Sequence, residues 1–531
     1  MSAAEVIWSA EQILPTFQTV EHLTIYALEG VSQDYQLAIL TLVGLINRPQ
    51  PLIYLVMNGD DEYWLKKICS TIPQERPSSV RDAILFDLLE HHRSVCTGLI
   101  IYDPELNDTI NIATTLAGQR SGIIVSPVLA EILQHKYALP ILVDLRQYGW
   151  ENRIQAYTWA MENLLPLTTD RLVAGLKPDG VTWLRSFAVA TRTFVYWLDS
   201  RRSLFSNGQS SERALMRKLL QAFPAGAAHL GWFEHESSGV ALTSEAALSV
   251  YASDFCSNLE VLISLPAPVV RPHLPQKSNL VLDPQKIYLS FTLSEGDNLQ
   301  YCQHHLLRLW QDPQRGVLPL GWTFSPALLQ MAPALTNHYL STATPNDEFI
   351  AGPSGIGYMF PSRWPVQHLV PFVQRTGAAM QALGMTTVQI LDVDPLTRSG
   401  LPLLSKLSLT GMAFTACSRQ HIFAQTLIPY GVQGLLTGTG FWVNRGSYRS
   451  VSNLPIYRNI GLAGSVKQAL MLIKWASRRK KRHHPLFLNL YVLAWSLGPT
   501  QLCQLVEQLG ETYQIVLPRT ILTTLEEARR L

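Results

Sequence analysis

Short apolar runs separated by helix-length segments recur along this chain, and that rhythm constrains its fold more than any other feature. Residues 23–28 (LTIYAL), 51–57 (PLIYLVM), 98–103 (GLIIYD), 122–127 (GIIVSP) and 140–145 (PILVDL) each predict a buried strand. Between them, 33–47 and 62–72 carry apolar residues at helical spacing. Strands joined by crossover helices pair in parallel, since each helix returns the chain to the end where it started. Residues 1–265 therefore predict an N-terminal α/β region with a parallel sheet, mostly helical over 150–225 and strand-like again at 229–233 and 260–266.

The stretch 266–284, PAPVVRPHLPQKSNLVLDP, holds five prolines and few helical signals, and predicts a linker. After it the alternation restarts, with strands expected at 287–291, 320–324, 348–351, 387–391, 412–415, 432–436, 486–491 and 514–517. Seven or eight strands with intervening helices give 285–531 the rhythm of a C-terminal (β/α)7-8 barrel-like domain. An open doubly wound sheet has the same rhythm.

Composition excludes several partners. With 42 Lys+Arg against 40 Asp+Glu, no global field draws in nucleic acid or an anionic membrane. The basic run Arg478 to His484 follows an apolar helical pattern, so it reads as a solvated helix end favoured by the helix dipole. The longest apolar stretch, 37–46, is about half of the ~20 residues that cross a bilayer. The six cysteines are scattered singly, which fits reduced, packed thiols. No basic segment followed by an apolar core opens the sequence, so the expected location is cytoplasmic.

Barrel chemistry sits at the C-terminal ends of strands, where the loops surround one pocket. The strand at 287–291 runs into FTLSEGDNLQY, with Glu295, Asp297 and Asn298 around Gly296. The strand at 387–391 runs into QILDVDP, with Asp392 and Asp394. Two carboxylate clusters at two strand ends supply the acid and the base or nucleophile that glycoside hydrolysis requires. Carboxyl groups about 5 Å apart imply retention of configuration, and about 6.5–9.5 Å inversion. The plainer reading makes Asp297 and Asn298 helix caps, and Asp392 and Asp394 turn residues before Pro395. Between the third strand and its helix runs AGPSGIGYMFPSRWP, with three glycines and three prolines in fifteen residues, so this is a shaped loop. Its Gly355 and Gly357 permit close backbone approach, while Tyr358, Arg363 and Trp364, with Trp322 nearby in the expected barrel, offer stacking and hydrogen bonding to a sugar ring.

The run Gly355-Ile-Gly357-Tyr358-Met-Phe360-Pro361 resembles the signature of the family described as "GxGYxYP putative glycoside hydrolase". The similarity extends through Ser294-Glu-Gly-Asp297-Asn298, Gly231-Trp232, the segment 253–259 (SDFCSNL) and the opening LEGVSQDYQLAILTLVGLINRPQP, so it covers nearly the whole chain. It implies a carbohydrate-associated protein with distinct N- and C-terminal regions. Phe360 stands where the motif has its second tyrosine, which keeps a stacking surface and removes a hydroxyl.

No cofactor is expected, and no GxGxxG follows the first strand. Two other function classes use the same residues. A glycan-binding protein without chemistry needs the rings and not the carboxylates. A metal-dependent deacetylase-like hydrolase would use Asp297 with His304 and His305, which fall on the following helix; paired helical histidines are more often structural, and no metal site is assigned. Asp254 and Asn258 read as cap or turn residues and Cys256 as packing, with no histidine base beside it in sequence.

Overall fold

The computed structural model describes residues 8–9, 11–179, 182–201, 211–265, 267–268, 270–271, 280–294, 298–392, 411–438, 447–481 and 483–528, with the side chains at 411–418, 447 and 526–528 set aside. The chain divides into two compact units, Met1–Pro268 with Gln330–Thr336, and Val269–Leu329 with Asn337–Leu531. Among the described residues no helix is long and apolar enough to cross a membrane.

The first unit holds three parallel sheets. Strands β1 (Leu23–Ala27), β2 (Ile53–Val56) and β3 (Gln74–Glu75) pair in the order β2-β1-β3. Strands β4 (Gly98–Ile101), β5 (Gly122–Val125) and β6 (Ile141–Asp144) pair in the order β5-β4-β6. Strands β7 (Leu172–Gly175), β8 (Phe194–Tyr196), β9 (Ala228–Gly231) and β10 (Ser249–Ala252) pair in the order β10-β9-β7-β8. The apolar stretch 37–46 lies in the helix Gln33–Ile46 and is buried all round, because it has no polar face to give to water. Gly44 allows this: a Cβ there would lie 2.3 Å from Ser186 O on the helix Arg185–Ala190. The Arg48 guanidinium donates to Gly118 O (2.7 Å), Val189 O (2.9 Å) and Ala190 O (3.2 Å), placing a cation at two helix C-termini.

One sequence expectation is extended in this unit and one is corrected. The segment 150–225 contains β7 and β8 as well as helices. The run at 260–266, expected as a strand, lies largely in the helix Leu259–Ser264. A short run of apolar residues buried on every side carries no periodicity to separate helix from strand. The tie-breaker is Asn258, whose left-handed backbone and side chain end the extended path: its Oδ1 accepts from Leu55 N (2.7 Å) and its Nδ2 donates to Leu55 O (2.8 Å).

The second unit is built on one sheet that curls upon itself. Its strands are β11 (Ile287–Ser294), β12 (Leu320–Phe324), β13 (Asp347–Ala351), β14 (Thr387–Ile390), β15 (Gly434–Thr437), β16 (Ser447–Val451), β17 (Leu454–Arg458), β18 (Leu462–Ala463), β19 (Leu486–Leu493) and β20 (Tyr513–Ile515). The order is β16-β17-β15-β14-β13-β12-β11-β19-β18, with β20 beside the first half of β11. All pairs are parallel except the β16–β17 hairpin, which turns through Ser452 (φ 50) and Asn453 (φ 66). One extended stretch, 454–463, joins β15 through β17 and β19 through β18. The bonds Asn459 N to Thr437 O and Ile460 N to Asn489 O, both 2.9 Å, carry the stretch from one neighbour to the other. The expected strand at 412–415 is a further correction, since it lies inside the helix Gly411–Leu427. Read alone, MAFT suits a strand; the seventeen-residue helix around it decides otherwise.

Candidate active site at the C-terminal ends of the curled sheet

The two ends of this sheet differ in chemistry. At the N-terminal end, Ile521, Leu522 and Leu525 of the helix Pro518–Ala528 pack with Tyr288, Ile350, Leu436, Tyr457 and Phe487. Glycines make room for the plug, since a Cβ on Gly434 would meet Leu522 at 2.8 Å. Glu348 fastens it, accepting from Thr387 Oγ1 (2.8 Å) and Arg519 N (2.9 Å), and burial pushes its carboxyl above the usual range.

Two residues further along several of these strands, the same face becomes polar. Tyr288 gives way to Ser290, Phe487 to Asn489 and Tyr457 to Asn459, as the two-residue period of a strand requires. Ser290 Oγ (2.6 Å) and Thr292 Oγ1 (3.1 Å) both donate to Asn489 Oδ1. Asn489 Nδ2 donates to Asn459 Oδ1 (2.7 Å), and Asn459 Nδ2 to Gln389 Oε1 (3.0 Å) and Gly438 O (3.1 Å). Every one of these five side chains is at most 1% exposed. The layer is neutral and internally bonded, so it fixes the strand ends without burying charge.

Asn298 lies beyond this layer in the chain, four residues after β11 ends. It is 1% exposed with φ 29, and neither amide atom has a hydrogen-bond partner among the described residues. A buried amide normally finds partners, and leaving one unmade costs about 1–3 kcal/mol. An unpaired donor and acceptor at a strand end suit a polar ligand. Asn298 opens a helix running through Asn298–Gln300, a π-turn at Tyr301–His305 and Leu306–Trp310. Glu295 and Asp297 on one side, and Asp394 beyond β14, lie outside the described residues.

Asp392, half-buried just past β14, accepts from Ser362 N (3.1 and 3.2 Å) and Ser362 Oγ (2.6 Å). It thereby ties the loop 351–365 to the end of β14. The loop is also held by Ser354 N to Gln389 O (2.8 Å), Ser354 Oγ to Leu391 O (2.9 Å) and Ile356 N to Thr376 Oγ1 (3.1 Å). Gly355 (φ +118) is required there, since a Cβ would lie 2.6 Å from Thr376 Oγ1. Asp392→Ala is expected to cost about 1–2 kcal/mol and to raise amide hydrogen exchange across 354–364. Unchanged exchange would show that Ser362 does not depend on this carboxylate.

The aromatic residues expected as stacking platforms are interior. Trp322 (1% exposed) donates from Nε1 to Asp347 Oδ1 (2.9 Å) and meets Trp310 edge-on, so it points into the helix layer. That placement corrects the stacking role expected of it, because a strand buried on both faces hides which face a residue takes. Trp364 (1%) packs on Phe372, and Tyr358 (4%) meets Phe360 edge-on at 5.6 Å. Gly357 is buried within the same loop, and Arg363 is partly exposed. The aromatic loop is therefore a packed wall. His305 donates from Nε2 to Ala494 O (2.9 Å), which commits that nitrogen to the fold, and burial lowers its pKa.

Sequence reasoning missed the polar layer and Trp495, which follows β19 and is 47% exposed. The layer's signal was the alternation Tyr-x-Ser-x-Thr-x-Ser in β11 and Phe-x-Asn in β19. In the N-terminal unit, Asp61 Oδ1 accepts from Ser257, and burial, with the carboxylates Glu260, Asp61 and Asp254, pushes the Cys256 thiol well up, which fits a packing role. Among the described residues, Asp199, Glu234 and His235 bring ligand-type atoms within 4.8 Å of one another. Asp199 is already paired with Arg201 (2.8 Å).

No curated protein matches this chain. A crystal structure described as a putative hydrolase from Bacteroides thetaiotaomicron shares its fold, with a TM-score of 0.80 and 20% identity over 99% of this chain and 98% of that one. Profiles of one family match in succession: the GxGYxYP first domain over 22–82, the second over 96–167, the third over 170–264, and the "GxGYxYP putative glycoside hydrolase C-terminal domain" over 285–525. Matched from residue 22 to residue 525 by all four domains, the chain belongs to the GxGYxYP family.

Proposed function

We propose that this protein is a carbohydrate-active hydrolase that cleaves glycosidic bonds at the C-terminal ends of β11 and β14. The curled sheet is read as a (β/α) barrel-type scaffold of seven or eight strands, in which catalytic groups gather at that end. One observation carries the reading: the interior changes from an apolar plug to a polar layer, and beyond β11 stands a buried amide with no partner among the described residues. Such a gradient offers polar groups for a ligand at that end of the sheet. The description of the matching C-terminal domain as a "putative glycoside hydrolase" points the same way.

In this mechanism Asp297 gives a proton to the leaving oxygen, with Glu295 as reserve. Asp392 or Asp394 stays ionised to attack the anomeric carbon or to activate water. The Ser362 amide and hydroxyl, both donating to Asp392, favour its charged form and so support that role. Asn298 binds a substrate hydroxyl. The test is release of reducing ends from a panel of α- and β-linked oligosaccharides by the full chain. Turnover on at least one member is expected; folded protein inert on all of them would favour glycan binding without chemistry.

A further inference from the structure

With Trp322, Trp364 and Tyr358 all interior, the expected sugar-binding surface has to come from elsewhere. Trp495 sits in the turn after β19, and β19 pairs with β11 in register from Ile287↔Leu486 to Ser294↔Leu493. Its backbone is thus two residues past the strand end that adjoins the end of β11. The indole is 47% exposed although it is held on two sides. His305 stacks on it at 4.3 Å and 25°, and Tyr301 meets it edge-on at 5.7 Å.

The platform is prearranged. The His305 ring is anchored by its hydrogen bond to Ala494 O, the residue just before Trp495. The turn is closed by Ser496 N to Leu493 O (3.0 Å) and Leu497 N to Leu493 O (3.1 Å). Gly498 then lets the chain press on the helix, since a Cβ there would lie 2.8 Å from Leu309 Cδ2. Tyr301 and His305 bound the π-turn, and such turns often mark functional sites. The same helix begins with Asn298, whose amide has no partner among the described residues. A supported, half-exposed indole and an unpartnered buried amide are brought to one end of the sheet by one helix and two paired strands.

We propose that Trp495 is a stacking platform for a pyranose ring of the substrate, with His305 as its positioning residue; this rests on the carbohydrate reading above. The negative face of an indole attracts the polarised C–H groups that line one side of a pyranose. His305 covers one face of the indole, so the sugar takes the other.

The test titrates wild type, Trp495→Ala and Trp495→Phe with cello-, xylo-, malto- and chito-tetraose, reading tryptophan fluorescence, KM and kcat, with thermal melts as the folding control. Saturable binding of at least one tetrasaccharide is expected, weakened about tenfold or more in Trp495→Ala and within about threefold of wild type in Trp495→Phe. His305→Ala is expected to fall between them. Hydrolysis with KM unchanged in Trp495→Ala overturns the platform and leaves the hydrolase reading standing. Binding that depends on Trp495 without any hydrolysis does the reverse. No saturable binding of any tetrasaccharide by wild type also overturns the platform.

Discussion

Glu260→Gln is expected to stabilise the protein above neutral pH and to flatten its stability between pH 5 and 8. Glu260 is 1% exposed, and neither carboxyl oxygen has a hydrogen-bond partner at normal geometry among the described residues. Burial pushes its pKa from 4.5 up to about 7, against partial downward pulls from its own backbone and from Ser186. The folded state therefore keeps a proton that the unfolded chain releases, and this favours folding most below pH 4.5. As the pH rises from 4.5 towards 7 that contribution is lost. At about 1.4 kcal/mol per pH unit, the loss reaches roughly 3 kcal/mol once the folded pKa is passed. Glutamine keeps the shape and has no charge to bury, so the variant should exceed wild type by up to roughly that amount at pH 8 and differ little at pH 4.5. Urea unfolding at both pH values measures the difference. Equal pH slopes in the two proteins would show that the carboxyl finds a charge-stabilising partner on ionisation.

The strands were legible wherever an apolar run was bracketed by turn residues, as at β4, β5 and β12. The loop around Gly355 was legible because glycine and proline leave few alternatives. The helix Leu259–Ser264 was not, since a fully buried run shows no period and the deciding contact, Asn258 with Leu55, spans 203 positions. The same blindness hid the orientation of Trp322. Strands of a parallel sheet covered on both faces are apolar inside and out, so hydrophobicity does not say which residues face inward. Polar residues at alternate positions do say so: Ser290, Thr292 and Asn489 would be costly facing an apolar helix layer without partners. Trp495 escaped notice because it belongs to a turn and to no motif. Asn298, by contrast, was singled out on its position after β11, and the structure adds that its amide is buried and without a partner among the described residues.

Asp297→Asn is expected to lower turnover by three orders of magnitude or more while leaving the fold and glycan binding in place. Asparagine has the size of aspartate and can bond to a hydroxyl, yet it neither delivers nor accepts a proton at the glycosidic oxygen. Removing a group that acts mainly in the transition state lowers kcat and kcat/KM together and leaves KM nearly unchanged. Asp392→Asn is expected to differ, because the Ser362 contacts make that residue part of the loop's support as well as a candidate partner. A fall in both stability and turnover is therefore predicted for it.

The decisive measurement is reducing-end release from the oligosaccharide panel by wild type and Asp297→Asn side by side, with thermal melts of both. The account predicts turnover by wild type on at least one member and its loss in a variant that melts normally. Equal turnover by the two folded proteins would contradict the place given to Asp297, and the absence of turnover by folded wild type would contradict hydrolysis itself.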